Sequence, residues 1–198
     1  MTPTHYATGA RAMTADTVLM TAESLHDPQF YGRRVELVAG RLLVHEPPGF
    51  EHGGILARVT YELIKFVEAT SPSLGKVVAG DPGFVLHRSP DTVRAPDVAF
   101  VKRSRLTGEV IRGFAEFAPD LAVEVRSPSD RRGELLAKVA DWLRVGTDLV
   151  WVIDPIRRSA QVHRADESIT LLGEHDALDG ESVLPGFSLT LDTLFRED

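Results

Sequence analysis

The sequence predicts a mixed α/β domain, and three observations carry that prediction. Apolar runs of strand length recur along the chain, among them PDVAFV, DLAVEV and DLVWVIDP. Two longer stretches space their apolar residues as helices do. Between Ala95 and Pro155 these pieces follow one another as strand, strand, helix, strand, the alternation of a sheet covered by helices.

Each element has its own justification. Residues 1–20 are polar, small and without periodicity, so a flexible N-terminal segment is expected there. Residues 21–198 are expected to form a single domain. TAESLHD suits a short helix with Thr21 as N-cap and Ser24 too close for a capping box. In RRVELVAGRLLVHEP, Val35–Leu37 and Leu42–Val44 flank the turn Ala39-Gly40 as a hairpin, and Glu36 points away from Val35 and Leu37.

From His52 to about Thr70 the residues Ile55, Val59, Leu63, Phe66 and Val67 recur at helical spacing, and Pro72 and Gly75 end the run. KVVAG and GFVLHR are short strands broken by Asp81-Pro82-Gly83. VRAPDVAFV and APDLAVEV are the next two strands, with a weak helical pattern around Val110–Phe117 between them. Ser127 to Asp130 offer N-cap candidates for a helix with Leu136, Val139 and Leu143 on its apolar face and Gly146 at its end. DLVWVIDP is apolar almost throughout, hence a central strand buried on both faces. Shorter β segments complete the sheet.

Composition narrows the function. With 43% hydrophobic and 26% charged residues, the chain has enough apolar material for one full core. The absence of cysteine excludes disulfides and thiolate metal sites. No apolar run reaches the ~20 residues of a membrane span or the core of a signal peptide, so a cytoplasmic location is expected. A formal charge of -7 speaks mildly against a dedicated nucleic-acid binder. Local clusters remain: Lys102, Arg103, Arg105 and Arg112 after the first acidic strand, and Arg126, Arg131 and Arg132 after the second. They suggest positive charge around a site, or else solvated loop charges.

The chemistry lies in two misplaced acids. Asp97 and Glu124 sit in strands too apolar to hide a charge without a reason. On neighbouring strands they could bind Mg²⁺, a hard cation that takes oxygen ligands and keeps several waters. Lys138, among the apolar residues of the following helix, can reach towards the strand ends. Arg126 shares a face with Glu124 and, being always protonated, could hold a phosphate but not act as a base. An acid, an acid and a lysine converging in this order form the layout of a metal-dependent phosphodiesterase.

The motifs VELVAGRL, PPGFEHGGI, RAPDVAFV, APDLAVEVRSPSD, the lysine helix, VWVIDP and VLPGFSL together resemble the PD-(D/E)XK nuclease superfamily. More closely they resemble a branch of bacterial restriction endonucleases long catalogued as a domain of unknown function. The likeness spans most of the chain. It implies a restriction-endonuclease-like mixed β-sheet core flanked by helices, with the N-terminal hairpin and extra C-terminal strands. It also implies Asp97 and Glu124 as metal ligands and Lys138 as catalytic lysine, moved from the strand to the helix so that Arg126 stands in its old position. Glu36 and His52 fall in the N-terminal motifs and border the site, Glu36 with a catalytic part. Trp142 departs from the branch, which usually has tyrosine there.

The resemblance therefore implies an endonuclease that hydrolyses DNA phosphodiesters with Mg²⁺, or Mn²⁺ as a substitute, through a metal-activated water. A homodimer is expected because cutting both strands is most simply done by two sites related by a two-fold axis. Two rival readings stand beside it: a non-catalytic interaction protein on the same fold, and a metal-dependent hydrolase of a small phosphoester. Each residue also has a plain reading. Asp97 could open a strand, Glu124 could pair with Arg126 or Lys138, and Asp81 belongs to a turn. Ser127 is a cap and no nucleophile, for no His and Asp accompany it. His87 and His163 lack metal-ligand spacing.

Overall fold

The computed structural model describes residues 18–70, 72–128 and 130–196; the expected flexible segment 1–20 falls mostly on positions 1–17, outside the described residues. The chain forms β1 (Arg34–Val38), β2 (Arg41–His45), α1 (Phe50–Ala69), β3 (Gly75–Ala79), β4 (Phe84–His87), β5 (Thr92–Arg94), β6 (Val98–Lys102) and β7 (Leu121–Val125). Then come α2 (Arg132–Arg144), β8 (Leu149–Asp154), β9 (Ser159–Arg164), β10 (Ile169–Leu172), β11 (Ala177–Asp179), β12 (Ser188–Thr190) and α3 (Leu191–Leu194).

The strands make a six-stranded sheet in the order β10-β9-β8-β7-β6-β3, a four-stranded sheet in the order β2-β1-β5-β4, and the pair β11-β12. β7 and β8 run parallel and are joined through α2; the other neighbours in the large sheet are antiparallel. β8 is buried at all six positions, as its apolar run requires. This is the mixed sheet flanked by helices, preceded by a hairpin, that the sequence predicts.

Alternation divides the large sheet into two faces. Val98, Phe100, Leu121, Val123, Leu149 and Trp151 point one way and pack against Ile55, Val59, Leu63 and Val67 of α1. Ala99, Val101, Ala122, Val150 and Val152 point the other way, against Val139 and Trp142 of α2. Burying one large apolar side chain stabilises by roughly 1.5–3 kcal/mol, so both helices are held chiefly by these faces. A third cluster, including Leu25, Leu37, Val85 and Val93, lies against the small sheet. In the hairpin turn Ala39 and Gly40 both have positive φ (49° and 74°), the pairing that suits a tight two-residue turn.

Some local expectations change. VRAPDVAFV is two strands, β5 and β6, in different sheets, with Ala95-Pro96-Asp97 as the crossing. KVVAG and GFVLHR likewise separate into the large and small sheets. No helix forms at Val110–Phe117; Ala115 instead bridges to Phe84. The segment after Thr21 is a short 3-10 helix, and the Ser24 hydroxyl does reach back to accept the Thr21 amide at 3.2 Å. On α2 the buried residues are Val139 and Trp142, while Leu136 is 42% exposed. Helix α2 begins without a side-chain cap; Asp130 instead accepts the Ser127 amide at 2.7 Å, closing the preceding turn.

Candidate active site

The site forms where the two sheets meet, and strand register explains why. The last pairs of β6 and β7 are Val98↔Val123 and Ala99↔Ala122, so the next position brings Asp97 opposite Glu124. In the small sheet Leu37 pairs with Val93, which sets Glu36 opposite Arg94. The Ala95-Pro96-Asp97 crossing holds the two pairs together. Glu36, Asp97 and Glu124 are all buried. With Lys138 and His52 they line a cavity of about 130 Å³.

Lys138 ties the two sheets together. Its amine donates to the Ala95 carbonyl at 2.7 Å and to Glu124 Oε2 at 2.8 Å, and lies 2.9 Å from Glu36 Oε1. Two hydrogen bonds and one further ion pair thus surround the ammonium. Glu36 also receives Arg94 Nη1 at 2.8 Å and the Ala95 amide at 3.0 Å, and Arg94 in turn reaches Asp141 of α2. Asp97 Oδ2 accepts the Val125 amide at 2.6 Å, and its Oδ1 faces Arg34 Nη2 at 3.2 Å and His52 Nε2 at 3.4 Å.

These neighbours set the charge states. Burial pushes the Glu124 carboxyl up to about 7, Asp97 and Glu36 adding to the shift and Lys138 opposing it. Burial also works against an ionised Glu36, yet Lys138, His45, Arg94 and the Ala95 amide outweigh it and hold this carboxyl well below its usual range. Asp97 is likewise lowered: burial acts upwards, but His52, Lys138 and the Val125 amide prevail. Burial would strip the Lys138 proton, but Glu124, Glu36 and Asp97 hold it more firmly than usual. The hydrogen bond to Asp97 raises His52, against the pull of burial.

The structure thus brings together Asp97, Glu124, Lys138, Glu36 and His52. It does not bring in Arg126: its guanidinium pairs with Asp154 at the end of β8, 2.5 Å away. The basic cluster expected near the site divides as well. Lys102 and Arg105 pair with Asp120 at the far end of β6 and β7, and only Arg131 of the group lines the cavity. Three residues of the site are not expected there from the sequence. Arg34 stands two positions before Glu36 on the same strand face, a signal that was available. Arg94 becomes meaningful only once β1 and β5 are paired. Asp81, expected to serve its turn alone, takes Arg34 in a two-pronged ion pair of 2.8 and 2.7 Å.

Among the described residues no three His, Asp or Glu side chains lie together as a metal-binding group. Asp97 and Glu124 are a two-carboxylate set. The cavity is lined by seven Asp and Glu residues against four Lys and Arg, an excess of negative charge. That donor set fits a hard divalent cation completing its shell with water and substrate oxygens.

The sheet order, the flanking helices and the acid, acid, lysine grouping define a restriction-endonuclease-like protein. Residues 23–192 match the Uma2 family, described as "Putative restriction endonuclease", and the chain belongs to that family. The crystal structure of a putative nuclease belonging to DUF820 from Anabaena variabilis is similar, with a TM-score of 0.72 over 81% of this chain and 89% of that one. At 19% identity this likeness shows the fold. No curated protein matches the chain. No helix among the described residues is long and apolar enough to cross a membrane.

Proposed function

We propose that this protein is a Mg²⁺-dependent endodeoxyribonuclease that hydrolyses DNA phosphodiesters, with Mn²⁺ able to replace Mg²⁺. One observation supports this most: Asp97 and Glu124 stand opposite each other at the cavity, with the Lys138 ammonium 2.8 Å from Glu124. Asp97 and Glu124 would hold the cation, which when bound polarises the phosphate. Lys138 stays charged at neutral pH, so its part is to donate to a phosphate oxygen as negative charge builds up, and not to remove a proton. To do so it exchanges one of its present acceptors for the substrate.

The other groups act around these three. Glu36 holds Lys138 and Arg94, and so acts through them. His52 orients Asp97. Arg34, half-buried at the cavity and ion-paired to Asp81, is the guanidinium best placed for a phosphate. Arg126, paired with Asp154, has no direct part. The proposal includes a cytoplasmic homodimer, since two sites related by a two-fold axis can cut both strands. A second reading, hydrolysis of a small phosphoester, is favoured by the modest cavity and by the pairing of Lys102 and Arg105 away from it.

The test is nicking of supercoiled plasmid with Mg²⁺ or Mn²⁺, alongside calorimetric titration of each metal, with Asp97→Ala and Glu124→Ala as controls. Metal-dependent nicking absent in both variants is the expected result. Metal binding without nicking would overturn the DNA assignment and favour the small phosphoester. No binding at millimolar metal and no nicking would overturn both.

A further inference from the structure

We propose that Trp142 is a positioning residue: its indole N–H fixes the Glu124 carboxylate in the orientation that serves the cavity. The proposal deepens the nuclease reading and rests on it. Trp142 is completely buried, and its Nε1 donates to Glu124 Oε1 at 2.9 Å. The other oxygen, Oε2, accepts Lys138 at 2.8 Å. Lys138 and Trp142 are four residues apart, so one turn of α2 presents both donors on the same side. Each takes a different oxygen of one carboxylate, and together they fix its plane.

The two donors differ in kind. Lys138 alone would draw the carboxylate round to itself, for an ammonium is a point charge with no preferred direction. Trp142 is neutral and directional, so it satisfies the second oxygen without cancelling the charge a cation needs. The indole is itself held: Phe84 meets it edge to face, with ring centres 5.9 Å apart and planes at 85°. The other tryptophan, Trp151, is just as buried, but its indole nitrogen has no hydrogen-bond partner among the described residues. Burial of a tryptophan here does not by itself require a bond; Trp142 has one, and it goes to Glu124.

The test uses the full chain. In a ¹H–¹⁵N spectrum the two indole N–H signals are assigned by Trp142→Phe and Trp151→Phe. Glu124→Gln and saturation with Mg²⁺ are each expected to move the Trp142 signal and leave that of Trp151 in place. By calorimetry Trp142→Phe should bind Mn²⁺ about tenfold or more weakly, the size of one hydrogen bond to a charged group. Trp142→Tyr, which restores a donor, should recover most of that affinity. Trp151→Phe, which loses similar packing but no bond, should bind as the unaltered protein does. Where nicking is measurable, Trp142→Phe should lower kcat and leave KM unchanged.

Unaltered Mn²⁺ affinity in Trp142→Phe, or a Trp142 signal indifferent to Glu124→Gln, would overturn the proposal. Equal losses in Trp142→Phe, Trp142→Tyr and Trp151→Phe would also overturn it, for they would mark a packing effect. Metal binding without nicking in the unaltered protein would remove the DNA reading while the calorimetric comparison still decides the role of Trp142. Absence of metal binding would overturn both.

Discussion

The two faces of the large sheet are built from the same strands, yet they follow different rules. On the α1 face Trp151 stacks against Phe187 at 5.8 Å, surrounded by aliphatic residues. On the α2 face Trp142 packs equally deeply but bonds to a carboxylate that itself contacts an ammonium. Single-residue alternation along β7 separates them: Val123 and Val125 point to α1, Glu124 to α2. One face is made for burial. The other gives up part of that gain to hold charges whose desolvation is unfavourable, which only a partner or a ligand can offset. The comparison predicts that damage to the first face is read in stability and damage to the second in metal binding and catalysis.

The largest effect belongs to the apolar face. Trp151→Ala should destabilise the protein by roughly 3–5 kcal/mol, the range for removing a buried aromatic side chain. Denaturant unfolding measures it. If the protein stays folded, its affinity for Mn²⁺ should be unchanged. A loss of affinity at native signal would show that the faces are coupled and break the comparison.

Next comes Glu124→Gln, nearly the same size but unable to carry charge. Metal-dependent nicking should fall about a hundredfold or more, roughly 2.7 kcal/mol of barrier. Near-normal nicking would move the chemistry away from this carboxylate. Glu36→Gln should have a smaller effect, about tenfold in kcat, because Lys138 keeps Glu124 and the Ala95 carbonyl as acceptors. Restoring activity to Glu36→Gln by raising the metal concentration would place Glu36 in binding, not in holding Lys138.

The contrast between faces also explains what could be read from sequence. The apolar face was legible, because Ile55, Val59 and Leu63 repeat at helical spacing and DLVWVIDP has no polar break before its end. Asp97 and Glu124 stood out because they violate the same pattern. Leu136 was misplaced because its position relative to α2 packing depends on which turn meets the sheet, and Val139 and Trp142 meet it. Arg94 and Asp81 were invisible for a different reason. Their meaning depends on Glu36 across a sheet and Arg34 across 47 positions of chain, pairings that no local pattern encodes. Arg126 misled because it shares Glu124's strand side in principle, while β7 ends at Val125 and leaves its side chain to Asp154.

The smallest effect sharpens the comparison within the α2 face itself. His163 of β9 lies opposite Val150, buried on that side of the sheet, with its Nε2 3.1 Å from Gln161 Oε1. Burial lowers its pKa from the ordinary 6.5. The unfolded chain therefore binds a proton more readily than the folded one between the lowered value and 6.5. The His163 contribution to stability should be full above 6.5 and decline as pH falls through that window, with a slope of at most about 1.4 kcal/mol per pH unit for one proton. Its sign is opposite to that of Glu124, whose raised pKa favours the folded state as pH falls. Urea unfolding at pH 7.5 and 5.5 tests this against His163→Phe, which should lose less stability, or gain more, than the unaltered protein on going from 7.5 to 5.5. Equal variation would assign the slope to other groups. A greater loss in His163→Phe than in the unaltered protein would mean that His163 is stabilised as a cation, and that this face holds charge beyond the cavity as well as inside it.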